Sequence, residues 1–210
     1  MEELESSELG TLEYWENRYK NEIKNFQDHG DTGEIWFGED IADRIVRWFI
    51  KNVEPEASIV DIGCGNGLIL IELANAGYKN LTGLDYSEEA INLANNIAKK
   101  RNLSVKYHVS DVLNGIRDNY KIIHDKGTYD AISLSEGASR TKQTYLQNVH
   151  KCLNDSGKFI ITSCNWTENE LIEQFSNYFV LESTVQTPQF KFGGKIGNVV
   201  SICIFKKIPT

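Results

Sequence analysis

The chain has 210 residues, of which 40% are hydrophobic and 25% are charged, and its formal net charge at pH 7 is −8. These values are typical of a single globular domain that buries its own core. The acidic balance argues against broad binding to a nucleic-acid backbone, which needs a basic surface. It would suit a basic protein partner, or it serves only to keep the chain in solution. No apolar run approaches the roughly 20 residues that cross a bilayer.

The amino-terminal segment and the cysteines indicate the cellular compartment in which the protein is expected. Residues 1–10 are acidic, lack the basic and apolar regions of a signal peptide, and are expected to be disordered. The four cysteines are scattered, with no C-x-x-C pair and no histidine at metal-ligand spacing. We therefore expect no metal site, and we expect the protein in the reduced cytoplasm, with a nuclear pool allowed.

Two helices are predicted to open the domain. The first, capped by Thr11, runs to about Phe26, and the second spans about 39–52. Apolar residues recur at helical spacing in both, and Trp15 and Trp48 are expected in the core as part of these stripes.

The loop between these helices, residues 28–38, is rich in glycine and carries two aromatic residues. Trp36 lies between glycines at positions 33 and 38, so its segment is free to adopt turns. We expect Trp36 to act as a lid over a bound ligand.

From Ser58 onward, strands and helices alternate, which predicts an α/β fold with a doubly wound, mostly parallel sheet covered by helices on both faces. Residues 11–210 are expected to form this single domain. Two final strands have no helix between them, so they are expected to form an antiparallel hairpin at one edge. The predicted strands are 58–62, 80–84, 105–109, 120–124, 158–163, 179–186 and 198–205, and the predicted helices are 68–76, 87–100, 141–153 and 168–177.

A glycine motif follows the first strand of this alternation. Asp61 ends the strand, and Gly63, Gly65 and Gly67 follow it, so that bare backbone is available to a nucleotide-like ligand. The dinucleotide-binding fingerprint needs its third glycine one place later, where this chain has Leu68. The spacing therefore disfavours a pyrophosphate and favours S-adenosylmethionine, whose ammonium group Asp61 would help to orient.

Further acidic residues stand just past other strand ends. Asp85 follows the second strand, where a carboxylate accepts hydrogen bonds from ribose hydroxyls. Asp111 follows the third strand and would accept from an adenine amino group, or it is an ordinary turn former. Asp125 follows the fourth strand and would hold a cationic substrate or face a sulfonium. Lys126 and Asp130 are interpreted as a surface ion pair.

The fifth strand ends in Ser163, Cys164, Asn165 and Trp166. Asn165 offers hydrogen-bond donors and acceptors, and Trp166 offers a flat, electron-rich face for a cation. Cys164 has no obvious histidine partner, so we interpret it as a small buried residue and not as a nucleophile.

Several segments resemble a known family. DIGCGNG (61–67) followed by GLDYS (83–87) resembles the seven-strand class I S-adenosylmethionine-dependent methyltransferases. The segments at 30–38, 125–134, 163–166 and 187–198 are similar to the small single-domain lysine methyltransferases of eukaryotic elongation factor 1-alpha. The resemblance covers nearly the whole chain, from about Gly10 to Phe205.

The resemblance implies a protein-lysine N-methyltransferase with S-adenosylmethionine as its cofactor and elongation factor 1-alpha as its substrate. We also expect a monomer that binds neither nucleic acid nor membranes directly. A small-molecule methyltransferase and a noncatalytic cofactor-binding module stay open as alternatives. The implied cofactor-binding residues are Trp36, Asp61, Gly63, Gly65, Gly67, Asp85, Asp111 and Val112, and the residues implied to face the target amine are Asp125, Asn165 and Trp166.

Overall fold

The computed structural model describes residues 3–192 and 195–209, which form seven α-helices and nine β-strands. The helices are α1 (Leu12–His29), α2 (Glu39–Asn52), α3 (Leu68–Asn75), α4 (Glu88–Lys100), α5 (Thr128–Ser133), α6 (Ala138–Cys152) and α7 (Glu168–Phe175). The strands are β1 (Ile59–Ile62), β2 (Leu81–Asp85), β3 (Lys106–Val109), β4 (Tyr120–Lys126), β5 (Leu153–Ser163), β6 (Phe179–Val185), β7 (Gln189–Phe192), β8 (Lys195–Asn198) and β9 (Ser201–Lys207).

Seven strands form one sheet in the order β3-β2-β1-β4-β5-β9-β6. Strands β1 to β5 are parallel, and β9 runs antiparallel to both β5 and β6. The predicted α/β class and the antiparallel pairing of the last two sheet strands are confirmed. The last strand lies inside the sheet, however, so that β6 forms the edge. The segment that connects β6 to β9 contains two further strands, β7 and β8, which pair with each other in a separate sheet.

The sheet is buried on both faces, which is why its central strands read as continuous apolar runs. All four residues of β1 are buried. On one face, Phe49 of α2 packs in the same cluster as Ile160 of β5. On the other face, Tyr145 of α6 clusters with Phe159 of β5. The core therefore packs on both faces of the middle of the sheet. A binding site can form at the carboxyl ends of the parallel strands.

The first helix begins as predicted. The Thr11 side chain accepts a hydrogen bond from Tyr14 N at 3.3 Å, and α1 continues past Phe26 to His29. The segment before it, expected to be disordered, contains a turn of 3-10 helix at Glu8–Gly10. Ser7 N donates to Leu134 O at 3.0 Å, which ties this segment to the end of α5.

The largest departures from the predicted elements lie between β4 and β5. Strand β4 continues two residues past the predicted end and includes Asp125. Gly127, with φ +90°, makes the turn into α5, a helix of six residues that the sequence analysis does not predict. Helix α6 then begins at Ala138 instead of position 141. These shifts change which side chains reach the carboxyl edge of the sheet.

Candidate active site

A cavity of about 250 Å³ lies at the carboxyl ends of the parallel strands. We call the wall formed by 61–66, 68–69, 85–86 and 110–113 the cofactor side, and the wall formed by 126–128, 130–132, 134–135 and 164–165 the acceptor side. The loop at 34–37 lines the cavity between these two sides, together with residues of α1. This is the edge at which ligands bind in open parallel sheets.

The glycine loop is held in a conformation that L-residues rarely adopt. Gly63, Gly65 and Gly67 have φ values of +63°, +55° and +74°. A Cβ at Gly63 would overlap the Thr128 hydroxyl, and one at Gly65 would overlap the Tyr19 hydroxyl. Gly63 and Gly65 line the cavity as predicted and also have a packing reason to be glycine. Gly67 is not among the described cavity-lining residues, and a Cβ there would overlap the Tyr107 hydroxyl, so its role is packing.

Asp85 joins the glycine loop to the end of β2. Its carboxylate is only 5% exposed and accepts hydrogen bonds from Gly65 N and Ser87 N, each at 2.9 Å. Burial raises the pKa of Asp85 to about 6, although the two backbone donors oppose that shift. Asp85 lies in the cavity wall where the sequence analysis places it.

Asp61 lies in the same wall and has a partner that the sequence analysis missed. Its Oδ1 is 2.7 Å from His124 Nδ1, and His124 is fully buried against the ring of Phe49. The two residues are directly opposite in the β1–β4 register. The register between β1 and β4 cannot be read from the sequence, so no pattern near either residue predicts that the two side chains pair.

Asp111 and Val112 also line the cofactor side. Asp111 accepts hydrogen bonds from Leu113 N at 2.8 Å and from Asn114 Nδ2 at 3.1 Å. Asn148 Nδ2 donates to Val112 O at 2.8 Å and fixes the same turn to α6. Asp111 is thus both a turn former and part of the cavity wall, and its assignment to adenine stays a prediction.

The predicted lid segment lines the cavity. The ring of Trp36 lies 5.0 Å from that of Trp15, which packs against a core cluster as predicted and also lines the cavity. Asn66 of the glycine loop donates to Thr32 O at 3.0 Å, and Lys126 Nζ donates to Trp36 O at 3.4 Å. The segment therefore contacts both the glycine loop and the end of β4.

The structure corrects the placement of Asp125. The residue is fully buried and is not among the described residues that line the cavity. Its carboxylate accepts hydrogen bonds from Thr128 N at 2.9 Å, from Tyr129 N at 3.1 Å and from the Tyr145 hydroxyl. Burial raises its pKa to about 7. Asp125 therefore holds the start of α5 and does not face a substrate amine.

Trp166 is also displaced from its predicted role. It is 4% exposed and belongs to the core cluster on the α6 face. Its Nε1 donates to Ser133 Oγ at 3.1 Å, and Lys142 Nζ lies 5.0 Å from its ring centroid. Trp166 is not among the described cavity-lining residues, so its aromatic face serves packing. Asn165, the other residue expected there, does line the cavity.

Cys164 is exposed and lines the cavity, so its interpretation as a buried residue is wrong. Partial burial, reinforced by the nearby Asp130 carboxylate, raises the pKa of this thiol to about 12. Because the thiolate is the reactive form of cysteine, a pKa this high disfavours nucleophilic chemistry at neutral pH.

Asp130 is the site residue that the sequence analysis missed. It was interpreted as one half of a surface ion pair, but it is 5% exposed and lines the acceptor side. It accepts hydrogen bonds from Ser163 Oγ and from Cys164 N, the latter at 2.8 Å. Lys126, its supposed partner, instead lies 5.6 Å from the ring centroid of Phe37. Burial lowers the pKa of Lys126 and raises that of Asp130.

Among residues 3–192 and 195–209, no group of three or more metal-binding side chains is close enough together to hold an ion. None of the helices that the structure describes combines the length and the apolar character needed to cross a membrane.

Residues 54–197 match the family described as a methyltransferase domain. The fold agrees with solved methyltransferase structures. One is a TehB-like enzyme from Corynebacterium glutamicum, with a TM-score of 0.63, 20% identity, and coverage of 94% of this chain and 100% of the other. Another is magnesium protoporphyrin IX methyltransferase from Synechocystis, with a TM-score of 0.62, 17% identity, and coverage of 91% and 85%. The chain thus belongs to the methyltransferase-domain family and has the fold of these enzymes.

Curated relatives narrow this class. The chain is 45% identical to EEF1A lysine methyltransferase 2 of Homo sapiens, over 96% of this chain and 88% of the relative. It is 35% identical to the protein-lysine N-methyltransferase EFM4 of Saccharomyces cerevisiae, over 98% of this chain and 97% of the relative. The chain therefore belongs to the EEF1A lysine methyltransferase 2 and Efm4 family of methyltransferases.

Proposed function

We propose that the protein transfers a methyl group from S-adenosylmethionine to a lysine side chain of translation elongation factor 1-alpha. The observation that carries this proposal is a single cavity with two different walls. One is built from bare glycine backbone and aspartates, and the other from Asp130 and Asn165. The names of the relatives supply the substrate, because both describe lysine methylation and one names elongation factor 1-alpha.

The cofactor side fits S-adenosylmethionine. Side chains at Gly63 and Gly65 would occupy space already filled by Thr128 and Tyr19, so the loop stays thin where a ligand approaches. Asp61 would hold the ammonium group, Asp85 the ribose, and Asp111 with Val112 the adenine. When bound, the cofactor supplies a methyl group on a positively charged sulfur.

The acceptor amine must be prepared by the protein. A lysine with a pKa of about 10.4 is protonated at pH 7, and removing its proton costs roughly 4–5 kcal/mol. The acceptor side reduces this cost by partial desolvation, which disfavours the charged amine. Trp36 and Phe37 line the cavity beside it and exclude water. Holding the amine in line with the methyl group then supplies much of the acceleration.

The proposal is tested with the purified chain, elongation factor 1-alpha and S-adenosylmethionine carrying a labelled methyl group. We expect label in the protein fraction, on lysine, by mass spectrometry. Asp85→Ala is the control, because losing a charge-assisted hydrogen bond worth about 1.5–3 kcal/mol should weaken cofactor binding by roughly 10-fold or more in calorimetry. Unchanged cofactor affinity in this variant would contradict the assignment of Asp85.

The alternatives predict different results in the same assay. A small-molecule methyltransferase would place the label in extractable metabolites and leave elongation factor 1-alpha unlabelled. A noncatalytic module would show no transfer to either fraction. The family membership of the chain favours the protein substrate over both alternatives.

We also propose that the enzyme works as a monomer in the cytoplasm, with a nuclear pool, and that it contacts no nucleic acid directly. The net charge of −8 supports the last point, since a phosphate backbone would be repelled. Light scattering of the purified chain and fluorescence imaging of a tagged copy would test the assembly state and the location. A dimer, or a pool confined to the nucleus, would contradict them.

A further inference from the structure

Asp130 is a buried carboxylate that faces the cavity. Ser163 Oγ and Cys164 N donate hydrogen bonds to it, and the Cys164 thiol and Asn165 N also lie close enough to favour its charged form. None of the ion pairs formed by the described residues includes Asp130. Because buried carboxylates in proteins are normally paired with a cation, this one is placed to receive a positive group from the cavity.

Three other aspartates of the cavity wall have protein partners of their own and are assigned to the cofactor. Asp61 is bound to His124, and Asp85 holds the glycine loop. Asp111 closes its own turn through Leu113 N. All three lie on the cofactor side. Asp130 instead lies on the acceptor side, beside Cys164 and Asn165 at the end of β5.

We propose that Asp130 and Asn165 form the subsite that receives the ammonium end of the acceptor lysine, an inference that rests on the proposed function. An ammonium group has three donors and no acceptor, so it is satisfied by a carboxylate and an amide oxygen together. The bond to Asp130 is charge-assisted and is the stronger of the two. Phe37 and Trp36 of the cavity wall offer apolar surface for the lysine stem.

The same carboxylate can also take the proton from the amine. Burial raises the pKa of Asp130, which makes it a better proton acceptor than an exposed aspartate. One proton moves from the lysine Nζ to Asp130, and the nitrogen keeps the electron pair of that bond. Asp130 is then a catalytic residue, because it touches the reacting amine.

The first test is Asp130→Asn, which keeps the shape of the side chain and removes its charge. We expect kcat for transfer to elongation factor 1-alpha to fall by on the order of 100-fold. Cofactor affinity by calorimetry should change by less than about threefold, since Asp130 is not on the cofactor side. Turnover at the level of the natural chain, or an equal loss of cofactor affinity, would overturn the proposal.

A second test does not depend on turnover. The side-chain amide of Asn165 is followed by nitrogen-15 NMR while n-butylammonium is added, with n-butanol as the neutral control of equal length. We expect a shift with the ammonium probe only, and no shift in Asp130→Asn. Equal responses to both probes, or an unchanged response in the variant, would overturn the subsite.

A third variant keeps the proposal testable if Asp130→Asn does not fold. Asn165→Ala removes an amide that is not part of the buried core, and should lower kcat/KM by about tenfold with cofactor affinity unchanged. A kcat/KM equal to that of the natural chain would overturn the proposed subsite. The proposed function fails separately, if the natural chain leaves elongation factor 1-alpha unlabelled.

Discussion

The two sides of the cavity are held in place by different physical means. On the cofactor side, the backbone takes left-handed conformations, and neighbouring hydroxyls fill the space where side chains would be. On the acceptor side, the backbone is ordered by buried carboxylates, with Asp125 holding α5 and Asp130 holding the end of β5. The cofactor side is therefore sensitive to added volume, and the acceptor side is sensitive to removed charge.

The largest expected effect is on the cofactor side. Gly63→Ala adds a Cβ that overlaps Thr128 and forces a residue with a side chain to φ +63°. Overpacking and left-handed strain together cost about 3 kcal/mol, so cofactor affinity should fall by roughly 100-fold in calorimetry.

Gly137→Ala is the matched control for this variant. Gly137 has a similar φ of +69°, but nothing lies within 4 Å of an added Cβ. The added backbone strain should lower its unfolding free energy by about 1–2 kcal/mol, and its cofactor affinity should stay unchanged. Similar affinities in the two alanine variants would show that volume does not limit the cofactor side.

The next effect is on the acceptor side. Asp125→Asn places an N–H₂ group where one carboxylate oxygen accepts hydrogen bonds from Tyr129 N and the Tyr145 hydroxyl. One buried donor is left unsatisfied, so the unfolding free energy at pH 5.5 should fall by about 2–3 kcal/mol in urea denaturation. Tyr145→Phe, which removes a single donor, should lose less. Equal losses would mean that the carboxylate is not the centre of this network.

The smallest effect is a difference in pH dependence. The pKa of Asp125 is raised from 3.8 to about 7 in the folded state. Between these values the folded chain keeps a proton that the unfolded chain has released, so unfolding free energy falls as pH rises through about 7. The gap between the natural chain and Asp125→Asn should therefore narrow by about 1–2 kcal/mol from pH 5.5 to pH 8. A constant gap would contradict the raised pKa.

The cofactor side could be predicted because its information is local. The glycines at 63 and 65 and the aspartates at 85 and 111 follow strand ends in the sequence, and the structure places these four in one wall. Each position follows from a short apolar run and the residue after it.

The acceptor side could not be predicted in the same way, because it depends on strand length. Ending β4 at His124 leaves Asp125 in a loop, whereas two further strand residues turn it toward Tyr145. Because Asp125 belongs to the strand, its side chain is fixed on the face of the sheet that packs against α6, and it does not reach the cavity. Asp130 was missed because the short helix that presents it was not predicted.

The position of β9 has a consequence for how the chain is made. Residues 202–205 of this strand are fully enclosed, and the strand bonds to β5 on one side and β6 on the other. A nascent chain that has reached only Val200 has every residue of the cavity wall but an open edge along β5, with β6 left unattached. An open apolar edge is a template for aggregation. The sheet can therefore be completed only after translation has passed Lys207. A premature stop before Ser201 would yield an aggregation-prone fragment that still contains all the site residues.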